Sequence, residues 1–220
     1  METIKKSTLD FLASIKDNNN RDWFLANKSS YLDAKENFEA FVQEIIDHII
    51  EFDPIMKGLE AKSCVFRINR DIRFSNDKTP YKSHFGAFIV RGGKKNGDRF
   101  AGYYFHIEPG ASIMAGGAYT PPTPWLSSIR EKISDNADEL IKILKEKDFV
   151  QYFGELENEK LKTVPKGYSS EHPQIELLKY KSYLVVNNAT DKIVLGKDFQ
   201  KHVINVFKAM KPLNDYLNIN

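Results

Sequence analysis

Three strand-like segments separated by short turns constrain the fold of this chain more than any other feature of its sequence. The segments cover residues 83–91, 100–108 and 111–119, and the first two are rich in aromatic and β-branched residues. Gly92-Gly93 and Pro109-Gly110, which end the first two segments, are strong turn signals. Because turns this short join neighbouring strands that run in opposite directions, the sequence predicts an antiparallel meander.

Helices are predicted on both sides of this meander. In residues 29–51, apolar residues recur at spacings of three and four, which indicates a long amphipathic helix. A similar stripe predicts a final helix over residues 198–217. Two more strands are predicted at residues 63–68 and 183–186. We therefore expect an α+β fold in which a mainly antiparallel sheet packs against N- and C-terminal helices.

The length of 220 residues fits one domain with a substantial core, so we expect a single domain over residues 1–220. Within it we expect a helical part (7–52), a sheet-rich part (63–119), a second helical part (122–153), and a loop, strand and final helix (160–220).

Positive charge is concentrated in one part of the chain. The whole sequence carries a net charge of only +2. Residues 62–99, however, contain ten basic and three acidic residues, a local charge of +7, so the remainder carries −5. The overall charge alone does not indicate nucleic-acid binding, but this segment predicts an anionic partner.

Cys64 is the only cysteine, which excludes an internal disulfide and a cysteine-based metal cluster. No apolar run approaches the roughly 18 residues of a membrane span, and the N-terminus has no evident secretory signal. These features favour a cytoplasmic protein without a membrane partner.

The centre of the basic segment is a long, irregular stretch in which cationic and apolar residues alternate. Guanidinium and ammonium groups held by such packing suit the recognition of phosphate or carboxylate. The alternative is a structural network in which the arginines pair with Asp71, Asp77 and acidic helix residues. The predicted anion-binding residues are Arg67, Arg70, Arg73, Lys78 and Lys82.

A row of polar side chains follows one face of the predicted strand at 100–108. Since side chains alternate along a strand, Tyr104, His106 and Glu108 share a face opposite to the apolar residues between them. His84, early on the preceding strand, is expected to neighbour this row. His106 with Glu108 is our candidate acid/base pair, and His84 and Tyr104 are candidate ligand-binding residues. The alternative is a polar sheet face touching solvent or a covering helix. The spacing of the pair also resembles that of metal ligands, but without a third ligand we assign no metal site.

These features predict an intracellular protein that binds an anionic small molecule in a basic cleft between the arginine-rich loop and the polar sheet face. A hydrolase-type reaction is compatible with this interpretation, but the residues fix neither an enzymatic activity nor a cofactor. Two alternatives remain open. One is a nucleic-acid-binding module using Phe74, Tyr81 and Tyr104 as stacking platforms. The other is a protein-interaction scaffold anchored by exposed Trp23 or Trp125.

Five segments spread over nearly the whole chain resemble a mostly bacterial family catalogued as domain of unknown function 2461. The resemblance implies a single full-length domain and no particular reaction. The matching segments are NNNRDWFLANKSSY (18–31), FRINRDIRFSNDKTPYKSHFG (66–86), GYYFHIEPGASIMAGGAYTPP (102–122), LKTVPKGY (161–168) and LLKYKSY (177–183).

Overall fold

The computed structural model describes residues 2–219 and shows a single α+β domain, as predicted. Its four strands are β1 (Phe85–Ile89), β2 (Gly102–Ile107), β3 (Ser112–Ala118) and β4 (Tyr183–Ala189). Its α-helices are α1 (Lys6–Asp17), α2 (Arg21–Ala26), α3 (Lys28–Phe52), α4 (Ala61–Cys64), α5 (Thr123–Asp135), α6 (Asp138–Lys145), α7 (Lys147–Phe153), α8 (Ile175–Leu178), α9 (Asp191–Val194) and α10 (Phe199–Leu217). Short 3₁₀ helices lie at Pro54–Met56 and Lys94–Asn96.

The predicted meander is confirmed. The sheet has the order β1-β2-β3-β4, and every neighbouring pair is antiparallel. Strands β1 to β3 follow one another directly, whereas β4 joins the edge of β3 after the segment that carries α5 to α8. In the register of the first pair, Phe85 lies opposite Ile107 and Gly86 lies opposite His106.

The predicted strand over residues 63–68 is wrong, and the sheet begins at Phe85. Ala61–Cys64 forms one helical turn, and Val65 makes only an isolated bridge to Ala87 of β1. A short apolar run is compatible with either a buried strand or a buried helical turn, and periodicity cannot separate the two. Here the turn packs between α3 and β1, and this burial decides the conformation.

The helices cover one face of the sheet. Tyr103, Phe105 and Ile107, on the inward face of β2, have no solvent exposure. The ring of Phe105 stacks on Phe38 and Phe41 of α3, with centroid distances of 5.7 and 5.4 Å. Helix α10 packs against β2 and β3 on the same side. The burial of these aromatic rings stabilises the core.

The opposite face of the sheet is only partly covered, and it carries the half-buried residues Phe88, Tyr104 and His106. A cleft lies on this side of the sheet, next to Phe88 and Tyr104. Among residues 2–219, no helix has both the length and the apolar character needed to cross a lipid bilayer.

Candidate functional site

The polar row on the outer face of β2 forms a continuous hydrogen-bonded chain. The hydroxyl of Tyr104 lies 3.0 Å from Nδ1 of His106, and Nε2 of His106 lies 3.1 Å from Oε2 of Glu108. Ser83 donates a hydrogen bond of 2.6 Å to the other carboxylate oxygen, Oε1. The side chains of His106 and Glu108 are 13% and 20% exposed, so the pair is sheltered from solvent without being sealed from it. A chain of this kind fixes the orientation of the imidazole ring.

His84 is brought to this row by the register of the sheet. It immediately precedes β1, and the pairing of Phe85 with Ile107 puts position 84 opposite Glu108. The imidazole rings of His84 and His106 stack with their centroids 4.1 Å apart and their planes 19° from parallel. One nitrogen from each histidine and one oxygen of Glu108 all lie within 4.8 Å of one another. The third potential metal ligand, which the spacing on β2 alone did not supply, is therefore His84.

The protonation states of this cluster follow from its burial. Burial, and then the neighbouring His106, lower the pKa of His84 to about 4. Burial also lowers the pKa of His106, although Glu108 opposes the shift. Burial by itself raises the pKa of Glu108, but hydrogen bonds from Ser83 and His106 outweigh it, so the net shift is downward. At neutral pH the cluster thus presents two neutral imidazoles and a carboxylate, groups that can accept a proton or bind a metal ion.

Tyr104 completes the row as a hydrogen-bonding phenol. Burial, and then the charge of Glu108, raise its pKa to about 12, so it stays protonated at neutral pH. Gly86, its neighbour on β1, leaves space for the phenol, since a Cβ at that position would lie 3.0 Å from the hydroxyl oxygen.

A cleft of about 810 Å³ lies beside this row, on the outer face of the sheet. Its walls are largely apolar and aromatic, and its charged residues are three lysines and one aspartate. It is lined by Phe66, Lys82, His84, Phe88, Lys94, Lys95, Gly97, Asp98, Tyr104, Ile113, Ala115, Gly116, Gly117, Tyr119, Thr120, Pro122, Leu184 and Val186. His106 and Glu108 are not part of this lining, but His106 contacts the lining residues Tyr104 and His84, and Glu108 contacts His106.

Two of the three lysines of the cleft, Lys82 and Lys94, have defined contacts. The ammonium group of Lys82 lies 5.3 Å from the ring centroid of Phe66, and burial lowers the pKa of Lys82. No ion pair to Lys82 occurs within residues 2–219. Lys94 donates to the backbone oxygens of Lys62 and Ser63, each at 3.2 Å, which anchors the turn between β1 and β2 at the rim.

A family model described as "Conserved hypothetical protein (DUF2461)" matches residues 7–216. The chain belongs to this family. No curated protein and no solved structure matches the chain.

The arginines of this DUF2461 chain lie apart from the cleft. Arg70 pairs with Asp77 and also contacts the hydroxyl of Thr79. Arg73 pairs with Asp71, its Nε donating at 2.9 Å, and 76% of its side chain is exposed. These contacts resemble the structural alternative considered for this stretch.

The other two predicted cations also lie outside the lining of the cleft. Arg67 is exposed, and the ammonium group of Lys78 donates to the backbone oxygen of Ile72 at 3.0 Å. Of the nine predicted site residues, the structure brings five together: Lys82, His84, Tyr104, His106 and Glu108. An anion-binding role for the four more distant cations stays a prediction.

The sequence did not single out several residues of the cleft. Lys94 and Lys95 entered the prediction only through the charge of residues 62–99, and Phe66 lies in the wrongly predicted strand at residues 63–68. The floor of the cleft includes Ala115 and Gly117 of β3, whose small size leaves the space above the sheet open. This run of small residues inside a strand is the signal that could have indicated a cleft.

The three aromatic residues considered as stacking platforms differ in exposure. Phe74 is 95% exposed at the tip of the arginine-rich loop. Tyr81 is only 7% exposed and stacks on Phe24 with a centroid distance of 4.2 Å. Tyr104 is half-buried at the cleft. Only Phe74 is therefore free to stack on a base without rearrangement.

Proposed function

We propose that the protein binds an anionic small molecule, bearing phosphate or carboxylate, in the cleft on the outer face of its sheet. One observation carries the proposal: Lys82, Lys94 and Lys95 face a single acidic residue, Asp98, around a cavity of about 810 Å³. A cavity of this size falls in the range typical of small-molecule sites. The excess of positive charge beside apolar walls favours a ligand with both an anionic and a non-polar part.

Lys82 is the strongest candidate for the group that holds the anion. Its ammonium group is half-buried and has no carboxylate partner within the described part of the chain, so its charge has lost water without gaining a counter-charge. A bound anion would supply that counter-charge. The neighbouring rings of Phe66 and Phe88 would contact the non-polar part of the ligand.

The proposal extends to a hydrolase-type reaction through the His106–Glu108 pair. Their contact of 3.1 Å and the neutral state of the imidazole at neutral pH support His106 as a proton acceptor oriented by the carboxylate. We also propose a cytoplasmic location, since the lone cysteine, Cys64, is a buried free thiol.

Binding of phenyl phosphate tests the proposal, because this probe joins an aromatic ring to a phosphate; benzoate is the carboxylate counterpart and benzyl alcohol the neutral one. We expect calorimetry on the EDTA-treated protein to show binding of at least one anionic probe and none of benzyl alcohol. The variant Lys82→Gln should raise Kd about tenfold or more, since a hydrogen bond to a charged group contributes about 1.5–3 kcal/mol.

Two variants serve as controls for Lys82→Gln. Lys201→Gln removes a charge from the exposed face of α10, and Arg73→Ala removes a loop arginine that lies outside the cleft; both should leave Kd unchanged. Weaker binding in Arg73→Ala would favour the arginine-rich loop as the ligand-binding element. Failure of both anionic probes to bind, or an unchanged Kd in Lys82→Gln, would contradict the proposal.

Nucleic-acid binding is the second candidate, and the observation in its favour is exposed Phe74 beside Arg73, whose guanidinium lies 5.8 Å from the ring centroid. Retention on single-stranded DNA with a steep salt dependence, together with failure of the small probes to bind, would favour nucleic-acid binding.

No comparable observation supports the protein-interaction scaffold. Trp23 and Trp125 are half-buried against the core, and Nε1 of Trp125 donates to the backbone oxygen of Leu217.

A further inference from the structure

The geometry beside the cleft points to a metal site. We propose that His84, His106 and Glu108 bind one divalent first-row transition metal ion, with zinc as the ion best suited to the ligand set. Two imidazoles and one carboxylate are a ligand combination found in catalytic zinc sites, which keep a fourth position open. The inference goes beyond the proposed anion binding and does not depend on it.

The relative position of His106 and Glu108 fits shared coordination. Two ligand atoms at about 2.0 Å from a tetrahedral ion lie about 3.3 Å from each other. Nε2 of His106 and Oε2 of Glu108 are already 3.1 Å apart. An ion that replaces the proton between them would therefore need little movement of either side chain.

The remaining polar atoms of these two residues already have partners of the kind that surround metal ligands. The Tyr104 hydroxyl contacts Nδ1 of His106 and can accept its proton, which leaves Nε2 free for an ion. Ser83 donates to Oε1 of Glu108, which leaves Oε2 for the same ion. Ligating histidines almost always donate their other N–H to an oxygen, and ligating carboxylates are hydrogen-bonded in turn.

His84 supplies the third ligand, and its side chain is held by stacking on His106 rather than by a hydrogen bond. It forms no hydrogen bond with any residue in the range 2–219, and it lies on the irregular segment before β1. The three ligand atoms lie within 4.8 Å of one another, so their separations need to shrink by about 1.5 Å at most. Because the lone pair of an imidazole nitrogen lies in the ring plane, the His84 ring must also rotate out of its stack on His106 to point at the same ion. Because His84 lines the cleft, the fourth coordination position would be reached from the cleft.

The positive charge of Lys82 is the main opposing effect. It acts on both histidines and disfavours additional positive charge nearby. Glu108 offsets it with one negative charge, and the two imidazoles contribute donor nitrogens that bind through lone pairs rather than net charge. A metal ion here would also replace the contact between Nε2 of His106 and Glu108 that orients the imidazole in the acid/base role, so the two roles exclude each other.

Calorimetric titration with zinc chloride tests the inference. The full-length protein is stripped with EDTA, dialysed into a chelator-free buffer without phosphate or carboxylate, and titrated. We expect one zinc ion per chain. Titration with cobalt(II) should give visible ligand-field absorption of tetrahedral type, a signature independent of any activity. Because no anionic ligand is present, failure here leaves the phenyl phosphate result unaffected, and the reverse also holds.

Variants separate this site from adventitious binding. His84→Ala and Glu108→Gln should each raise the zinc Kd at least about 100-fold, and Ser83→Ala, which removes only the supporting hydrogen bond, about tenfold. His84→Asp keeps a metal-binding group and should recover part of the affinity lost in His84→Ala. Circular dichroism of the metal-free variants establishes that they are folded.

The matched control is His48→Ala. His48 and Glu51 of α3 form a histidine–glutamate pair at 3.2 Å that belongs to no three-ligand group among the described residues. Removing it should leave zinc binding unchanged. Absence of stoichiometric zinc binding by the unaltered protein, or the same Kd in His84→Ala and the unaltered protein, would overturn the inference.

Discussion

At the scale of single residues, the site is one hydrogen-bonded chain, Ser83–Glu108–His106–Tyr104, with His84 stacked on its centre. The strand backbone accounts for each link. Side chains alternate along a strand with a period of two, which puts Tyr104, His106 and Glu108 on one face. The antiparallel register of β1 and β2 brings Ser83 and His84 beside them. The chemistry of the site therefore depends on backbone pairing as much as on residue type.

The variant Tyr104→Phe tests whether this chain is formed. It keeps the ring and removes the hydroxyl that contacts Nδ1 of His106. We expect the free energy of unfolding, measured with urea, to fall by about 1 kcal/mol, the net contribution of one hydrogen bond. Tyr119→Phe is the matched control, because Tyr119 lines the same cleft but is 63% exposed. Equal stability of the two variants would contradict the hydrogen-bonded row.

At the scale of elements, the end of β3 sets both the floor of the cleft and the tight packing beneath it. A Cβ at Gly116 would lie 2.1 Å from Sδ of Met210 on α10, so the strand and the helix approach closely there. Gly117 adopts φ +112°, and a Cβ on it would lie 2.0 Å from the backbone oxygen of Tyr183 on β4. Larger residues at these two positions would push α10 and β4 away from β3.

Gly117→Ala should therefore destabilise the protein strongly. A positive φ costs a residue with a Cβ about 1–2 kcal/mol, and the collision with β4 adds about 1–3 kcal/mol, so we expect a loss of about 2–5 kcal/mol. Gly110→Ala is the control, since Gly110 has φ +74° with open space around it. The loss of unfolding free energy in Gly110→Ala should therefore reflect only the cost of the positive φ. Urea unfolding of both variants measures the difference, and similar losses would exclude a steric role for Gly117.

At the scale of the whole molecule, three partly buried histidines make stability depend on pH. Burial lowers the pKa of His84, His106 and His202 below the ordinary value of about 6.5. In the unfolded chain these residues take up protons as pH falls through about 6.5, whereas the folded protein resists protonation until lower pH. Acid therefore favours the unfolded state.

We expect the free energy of unfolding of the metal-free protein to decrease as pH falls from about 7 to about 5. His202→Gln should make this decrease smaller, because it removes one of the three groups at a position outside the cleft. Urea unfolding at a series of pH values measures both curves. Carboxylates with lowered pKa, such as Glu108, act in the same direction but only below about pH 5. Parallel curves for the two proteins would show that His202 contributes nothing.

The sequence by itself determined the fold class, the meander and the two faces of β2. These properties come from local patterns: short turns force antiparallel neighbours, and a period of two separates Tyr103 from Tyr104. The α3 and α10 helices followed from apolar stripes in the same way. The one wrong strand, at residues 63–68, failed because a short apolar run carries no period that separates strand from helix.

Only the tertiary structure decided which of the predicted site residues meet. The placement of His84 against His106 depends on a register fixed by pairing between strands, and the cleft depends on where the turn bearing Lys94 and Lys95 lies above the sheet. Arg70 and Arg73 pair within their own loop, an outcome that residue type leaves open because the same guanidinium binds a protein carboxylate or a ligand anion equally well. Periodicity depends on residues that are close in the sequence, so it can be recognised without the structure. These contacts join residues that are distant in the sequence, and they exist only once the chain has folded.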